Sequence, residues 1–82
     1  MLKVADIIQT VKREDWYTSM PERSTVVNWD GPHYDVEPGT ILEVIDIDDR
    51  RVVSVWCPTL NMYFPKVFYV DERNVQYKLI SK

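Results

Sequence analysis

Cys57, His33 and Asp35 are the only residues of this chain from which a nucleophile, a base and an orienting carboxylate can be assembled. A thiol works as a nucleophile when a base lies within hydrogen-bond reach and is itself held in place. Cys57 and His33 are the single cysteine and the single histidine, and nothing in their spacing brings them together. The expectation is therefore a loop histidine and a half-buried cysteine serving as a small hydrophobe. Asp46-Ile47-Asp48-Asp49 offers oxygen ligands of the kind calcium takes. A calcium loop needs glycine at its sixth position and glutamate at its twelfth. Counted from Asp46, those positions hold Arg51 and Cys57, so a solvated hairpin tip beside Arg50 and Arg51 is expected instead. Gly31 and Gly39 are the only glycines, too few for a loop that cradles phosphate. No catalytic residue, metal or cofactor is expected.

Charge and rings carry more information. The net charge is −3, unevenly spread. Residues 25–50 set Arg50 against Asp30, Asp35, Glu37, Glu43, Asp46, Asp48 and Asp49. The last third is basic, with Arg51, Lys66, Arg73, Lys78 and Lys82 against Asp71 and Glu72. Aromatic residues make up 12%. A core this small holds about four or five large rings, and the remainder must meet solvent or a partner. Trp16-Tyr17 lies in a polar stretch, Lys12 to Arg23. Trp16 is expected to plug an open barrel end, with Tyr17 as the exposed contact.

The elements that position these residues read as strands. The chain has 82 residues and 9.8 kDa, the size of one domain spanning 1–82. Val75, Tyr77 and Leu79 alternate with Gln76 and Lys78, a period of two over 75–80. Residues 41–47 and 51–57 are rich in β-branched and aromatic types. Asp48-Asp49-Arg50 joins them as a polar hairpin turn without the usual glycine. Residues 62–70 form a further β-prone run broken by Pro65, which cannot donate to a ladder. Glu37-Pro38-Gly39-Thr40 fits a type II turn. Residues 25–29 read as a short strand and 13–24 as a loop. Val4, Ile7, Ile8 and Val11 have helical spacing, while Asp6 to Lys12 reads equally as a strand. Both remain open. The short apolar runs and the lone cysteine suit a soluble chain in a reducing cytoplasm. The pattern predicts a mostly β protein: one small barrel of five or six short antiparallel strands, with or without a short N-terminal helix.

Residues 34–70 resemble a Src-homology-3 domain in part. Tyr34-Asp35 is similar to that family's first motif, and Pro38-Gly39-Thr40-Ile41-Leu42-Glu43-Val44-Ile45 to the strand after its first long loop. Tyr63-Phe64-Pro65 and Tyr69-Val70 resemble its closing motif. Phe68 stands where the family has tyrosine, and residues 1–33 have no counterpart. The resemblance implies a Src-homology-3-like small β-barrel rather than a particular ligand.

These readings lead to an expected function. The chain is expected to be a non-enzymatic protein-interaction module, an accessory or inhibitory factor in the size class of small bacteriophage proteins. Its contacts with a larger protein would come from Trp16, Tyr17, Tyr34, Asp35, Asp46, Asp48, Asp49 and Tyr69. A nucleic-acid-binding barrel is the alternative, with Lys66, Arg73, Lys78 and Lys82 on phosphates. A structural homo-oligomer is the third.

Overall fold

A computed structural model describes residues 1–71 and 76–81. Among them every regular element is a strand: β1 (Ile7–Thr10), β2 (Glu14–Tyr17), β3 (Ser19–Met20), β4 (Arg23–Val27), β5 (His33–Val36), β6 (Ile41–Asp48), β7 (Arg51–Cys57), β8 (Met62–Phe64), β9 (Phe68–Tyr69) and β10 (Tyr77–Ser81). No helix among the described residues is long and apolar enough to cross a membrane.

The main sheet is antiparallel and runs β10-β1-β6-β7-β8, with β9 also on β7. β6 and β7 pair through Val44↔Val55 and Asp48↔Arg51, with bulges around Asp46. Leu42 and Val44 point into the core from β6, and Val52, Val55 and Cys57 from β7. Asp49 and Arg50 turn the hairpin with left-handed φ values of 51° and 63°, as a two-residue turn of the type favoured in hairpins demands. Gly39 supplies the φ of +86° required at the third position of the type II turn. Buried Thr10 fastens that turn to β1: its hydroxyl donates to the Glu37 carbonyl at 2.8 Å and accepts from the Thr40 N–H at 3.0 Å.

The N-terminal alternatives resolve to a strand. Ile8 and Thr10 are buried, whereas Val4 and Val11, which a helix would bury beside Ile7 and Ile8, are 57% and 56% exposed. β1 lies between β6 and β10, so its backbone groups are taken up on both sides.

Two expectations are corrected. Residues 13–24 are not a loop: they contain β2, β3 and the start of β4, in two small antiparallel sheets, β2-β5 and β3-β4. Among the described residues the main sheet also does not close into a barrel. Pro65 cuts the 62–70 run into β8 and β9, which share one edge of β7, at Val55–Cys57 and Arg51–Val52. Neither pairs with β10. The two ends of the sheet are joined by side chains instead. Trp16 of β2, 1% exposed, packs against Phe64 of β8 at 5.2 Å and Tyr77 of β10 at 6.4 Å between ring centres. Phe68 of β9 meets Tyr77 at 4.2 Å. A ring the size of tryptophan buries roughly 150–250 Å², enough to bridge strands that no ladder connects. The Val75 end of the predicted last strand lies outside the described residues; Tyr77 is buried there, while Leu79 is 39% exposed.

Candidate protein-interaction site

The β2-β5 ribbon obeys period two. Trp16 and Val36 face the core, with Tyr34 packed against Phe64 at 6.2 Å. The opposite face carries Asp15, Tyr17, His33 and Asp35. Their register sets Asp15 opposite Asp35 and Tyr17 opposite His33. Like charges directly across a sheet repel, and each carboxylate here has its own basic partner. His33 Nδ1 lies 2.7 Å from Asp15 Oδ1, and Arg13 Nε lies 3.2 Å from Asp35 Oδ1. Arg13 also binds Glu37; these carboxylates hold its guanidinium above the ordinary pKa, with the Glu37 hydrogen bond first among the causes.

Two rings meet Tyr17, His33 stacked on it and Trp29 tilted against it at 58°. Tyr17 lies 5.1 Å from His33 with planes 26° apart, and 5.0 Å from Trp29. Trp29 reaches it from a turn. Gly31 N–H donates to the Asn28 carbonyl at 3.2 Å, and Asn28 N–H to the Thr18 carbonyl at 2.9 Å. A Cβ on Gly31 would stand 2.7 Å from Asn28 Nδ2, so a larger residue there would push the Asn28 side chain aside. Trp29 is left 71% exposed. Between these rings and the segment after β8 runs a groove of about 260 Å³, lined by Asp15, Trp16, Tyr17, Val27, Trp29, Pro65 and Lys66.

A polar knot closes the groove floor. Glu14 Oε1 accepts the Trp16 indole N–H at 3.1 Å and the Tyr77 hydroxyl at 3.4 Å. Lys66 Nζ lies 3.6 Å from the same oxygen and 4.7 Å from the Trp16 ring centre. Burial lowers the Lys66 pKa, with Glu14 opposing. Burial raises that of the Tyr77 phenol, and the Glu14 charge adds to it. Among the described residues, buried Glu14 Oε2 has no hydrogen-bond partner.

The sequence-predicted contacts separate into groups. Tyr17 and Asp35 share the outer face of the ribbon; Trp16 is core, and Tyr34 is half-buried beneath the ribbon. Asp46, Asp48 and Asp49 are exposed at the β6-β7 hairpin, and Tyr69 stands beside that hairpin, opposite Arg51. Of the four cations, Lys66 is engaged within the protein, Lys78 is exposed on β10, and Arg73 and Lys82 lie outside the described residues. Cys57 is fully buried, and the carboxylate on His33 is Asp15 rather than Asp35, so the three residues of the nucleophile set are not assembled. Among the described residues no three His, Cys, Asp or Glu side chains are grouped to hold a metal ion. Trp29 was missed as a site residue. Its signal was present in Trp29-Asp30-Gly31-Pro32, where a large ring enters a tight turn. Comparison with protein-family models, curated proteins and solved structures finds no match to this chain.

Proposed function

We propose that this chain is a non-enzymatic interaction module that binds another protein through the Trp29–Tyr17–His33 cluster and the groove beside it. One observation carries the reading: Trp29 is 71% exposed yet packed on Tyr17. Water gives an indole no reason to stay out, and rigid rings in a concave, partly apolar site are the usual anchors of protein contacts. The acidic β6-β7 hairpin is a second feature, suited to steering a basic partner. Binding without turnover fits a thiol sealed in the core and a histidine occupied as a strand clasp. We read the sheet as an opened relative of the Src-homology-3-like barrel, with Trp16 in place of a last ladder.

Nucleic-acid binding draws less support. Lys66 is engaged by Glu14 and Trp16, and Arg13, beside the ribbon's outer face, is already held by Asp35 and Glu37, an arrangement that offers phosphate little uncommitted positive charge. The test is affinity capture from the native host with the parent chain and with Trp29→Ala. A partner retained by the parent and lost by a Trp29→Ala protein of unchanged melting temperature supports the reading. Equal retention by both refutes this surface.

A further inference from the structure

We propose that Asp30 is a site of spontaneous covalent modification: its side chain cyclises onto the Gly31 nitrogen and reopens as isoaspartate, and the change unseats Trp29 from Tyr17. The modification goes beyond the interaction reading and does not depend on it.

The turn between β4 and β5 brings the reacting groups together. Asn28, Trp29, Asp30 and Gly31 form a turn closed by the Gly31 N–H on the Asn28 carbonyl at 3.2 Å, the long end of the ordinary range. Of all the aspartates, Asp30 alone precedes a glycine. Glycine has no Cβ, so its nitrogen is open to the carboxyl group of the residue before it. Asp30 is exposed and lies outside every strand. Among the described residues its carboxyl group has no hydrogen-bond or ion-pair partner. Other aspartates are held. Asp35 pairs with Arg13 at 3.2 Å and precedes buried Val36 in β5. Asp15 pairs with His33 at 2.7 Å and precedes Trp16 in β2. Buried Asp6 accepts the Lys3 N–H at 2.9 Å. Asp46 precedes Ile47 within β6, where the ladder fixes the backbone and a stiff β-branched side chain crowds the next nitrogen.

The atoms balance with water as the sole co-reactant. The Gly31 nitrogen bonds to the protonated Asp30 side-chain carboxyl at its carbon, and the carboxyl hydroxyl leaves with the amide proton as water. The product is a cyclic imide. Water then adds to one of its two carbonyls. Cleavage of the new bond restores aspartate. Cleavage of the original peptide bond leaves the chain running through the side chain, one carbon longer. Ring closure removes the N–H that ties Gly31 to Asn28, and the extra carbon keeps the turn from closing in its former register. Trp29 stands one residue before the altered bond, 5.0 Å from Tyr17, so its seat shifts first.

Ageing the full chain for several weeks at physiological temperature and pH tests it. Trypsin cuts after Arg23 and Arg50 and releases residues 24–50 as one fragment, which carries Asp35 and Asp46 beside Asp30 as internal controls. Electron-transfer fragmentation distinguishes isoaspartate from aspartate at each position. Isoaspartate should grow at position 30 roughly tenfold or more faster than at 35 or 46, where a β-branched residue follows. Asp30→Glu keeps the charge but must close a larger ring, and it should abolish the new isomer of the fragment. No isoaspartate at position 30, or equal rates at 35 and 46, overturns the proposal, as does an isomer that persists undiminished in Asp30→Glu. The separated isoaspartate form should also lose near-ultraviolet circular dichroism from the Tyr17–Trp29 contact at an unchanged melting temperature. A spectrum identical to the parent's overturns the unseating of Trp29. Neither readout uses a partner protein, so the modification can fail while the interaction surface stands, and the reverse.

Discussion

The Lys66 ammonium lies 4.7 Å from the centre of the Trp16 ring, and Glu14 holds both residues, accepting the indole N–H at 3.1 Å and standing 3.6 Å from Nζ. The cation nearest the groove is thus part of the device that keeps the core indole in place. Removing Lys66 alone strands a carboxylate that, among the described residues, already has one oxygen without a partner. Lys66→Met should cost about 1–3 kcal/mol. Adding Glu14→Gln should restore at least half of that loss, because an amide is cheaper to bury than an unpaired charge. Urea denaturation of the two single variants and the double variant measures the coupling. Strictly additive losses would show that the pair contributes nothing as a pair.

Tyr77 and Lys66 make stability depend on alkaline pH in opposite directions. The Tyr77 pKa is raised in the folded chain above its ordinary 10.0. The unfolded chain gives up that proton first, so this contribution is full below about pH 10 and is lost as pH rises further. The Lys66 pKa is lowered from its ordinary 10.5, so the unfolded chain binds that proton more tightly, and stability rises with pH as the value approaches 10.5. Tyr77→Phe should flatten the decline above pH 10 and cost about 1 kcal/mol or less at neutral pH, since its bond to Glu14 is long. Melts across pH 8–11.5, roughly spanning both ordinary values, check this; an identical alkaline slope in parent and variant would contradict it.

The β6-β7 turn puts Arg50 at a φ of 63°, where an L side chain costs roughly 1–2 kcal/mol. Its ion pair with Asp71, at 3.6 Å with Arg50 67% exposed, is worth about 0–1 kcal/mol. Arg50→Gly should therefore stabilise by about 0.5–1 kcal/mol, raising the melting temperature by about 2–8 °C for a chain of this size. Calorimetry decides. A lower melting temperature would mean that the ion pair outweighs the backbone strain.

Asp46, Asp48 and Asp49 belong to a different strand pair from the aromatic cluster. Changing all three to Asn should slow association with a basic protein partner severalfold and leave dissociation nearly unchanged, because exposed charges steer encounter more than they hold a complex. The difference should shrink at salt above physiological strength, where the screening length falls below ~8 Å. Binding kinetics at two salt concentrations test it. Faster dissociation with unchanged association would move these residues into the contact itself.

Local signals located the best-defined strands. Residues 41–47 and 51–57 carry dense β-branched runs and became Ile41–Asp48 and Arg51–Cys57. Pro38-Gly39 set its turn for the same local reason. The 13–24 stretch escaped because β2 has only four residues, Glu14 to Tyr17, two of them acidic. Its strand state depends on pairing with β5, well downstream. The site was hidden for the same cause. Tyr17, Trp29 and His33 are scattered along the chain; register sets Tyr17 opposite His33, and the turn after β4 brings Trp29 to them. Asp15 and Asp35 illustrate the limit well: composition shows two carboxylates, and only the ladder shows that His33 clasps the first and Arg13 the second.

The position of β1 sets an order of events during synthesis. It is made before either of its neighbours, yet Gln9 pairs with Ile41 on one side and Lys78 on the other. The β-prone stretch Ile7–Thr10 can therefore pair on one side once β6 is made, and on the other side must wait for β10. Contacts of such long sequence separation are slow to close. β10 then adds the outer edge of the sheet, so a nascent chain halted before β10 would carry one bare flank of β1, the kind of surface that chaperones and aggregation compete for.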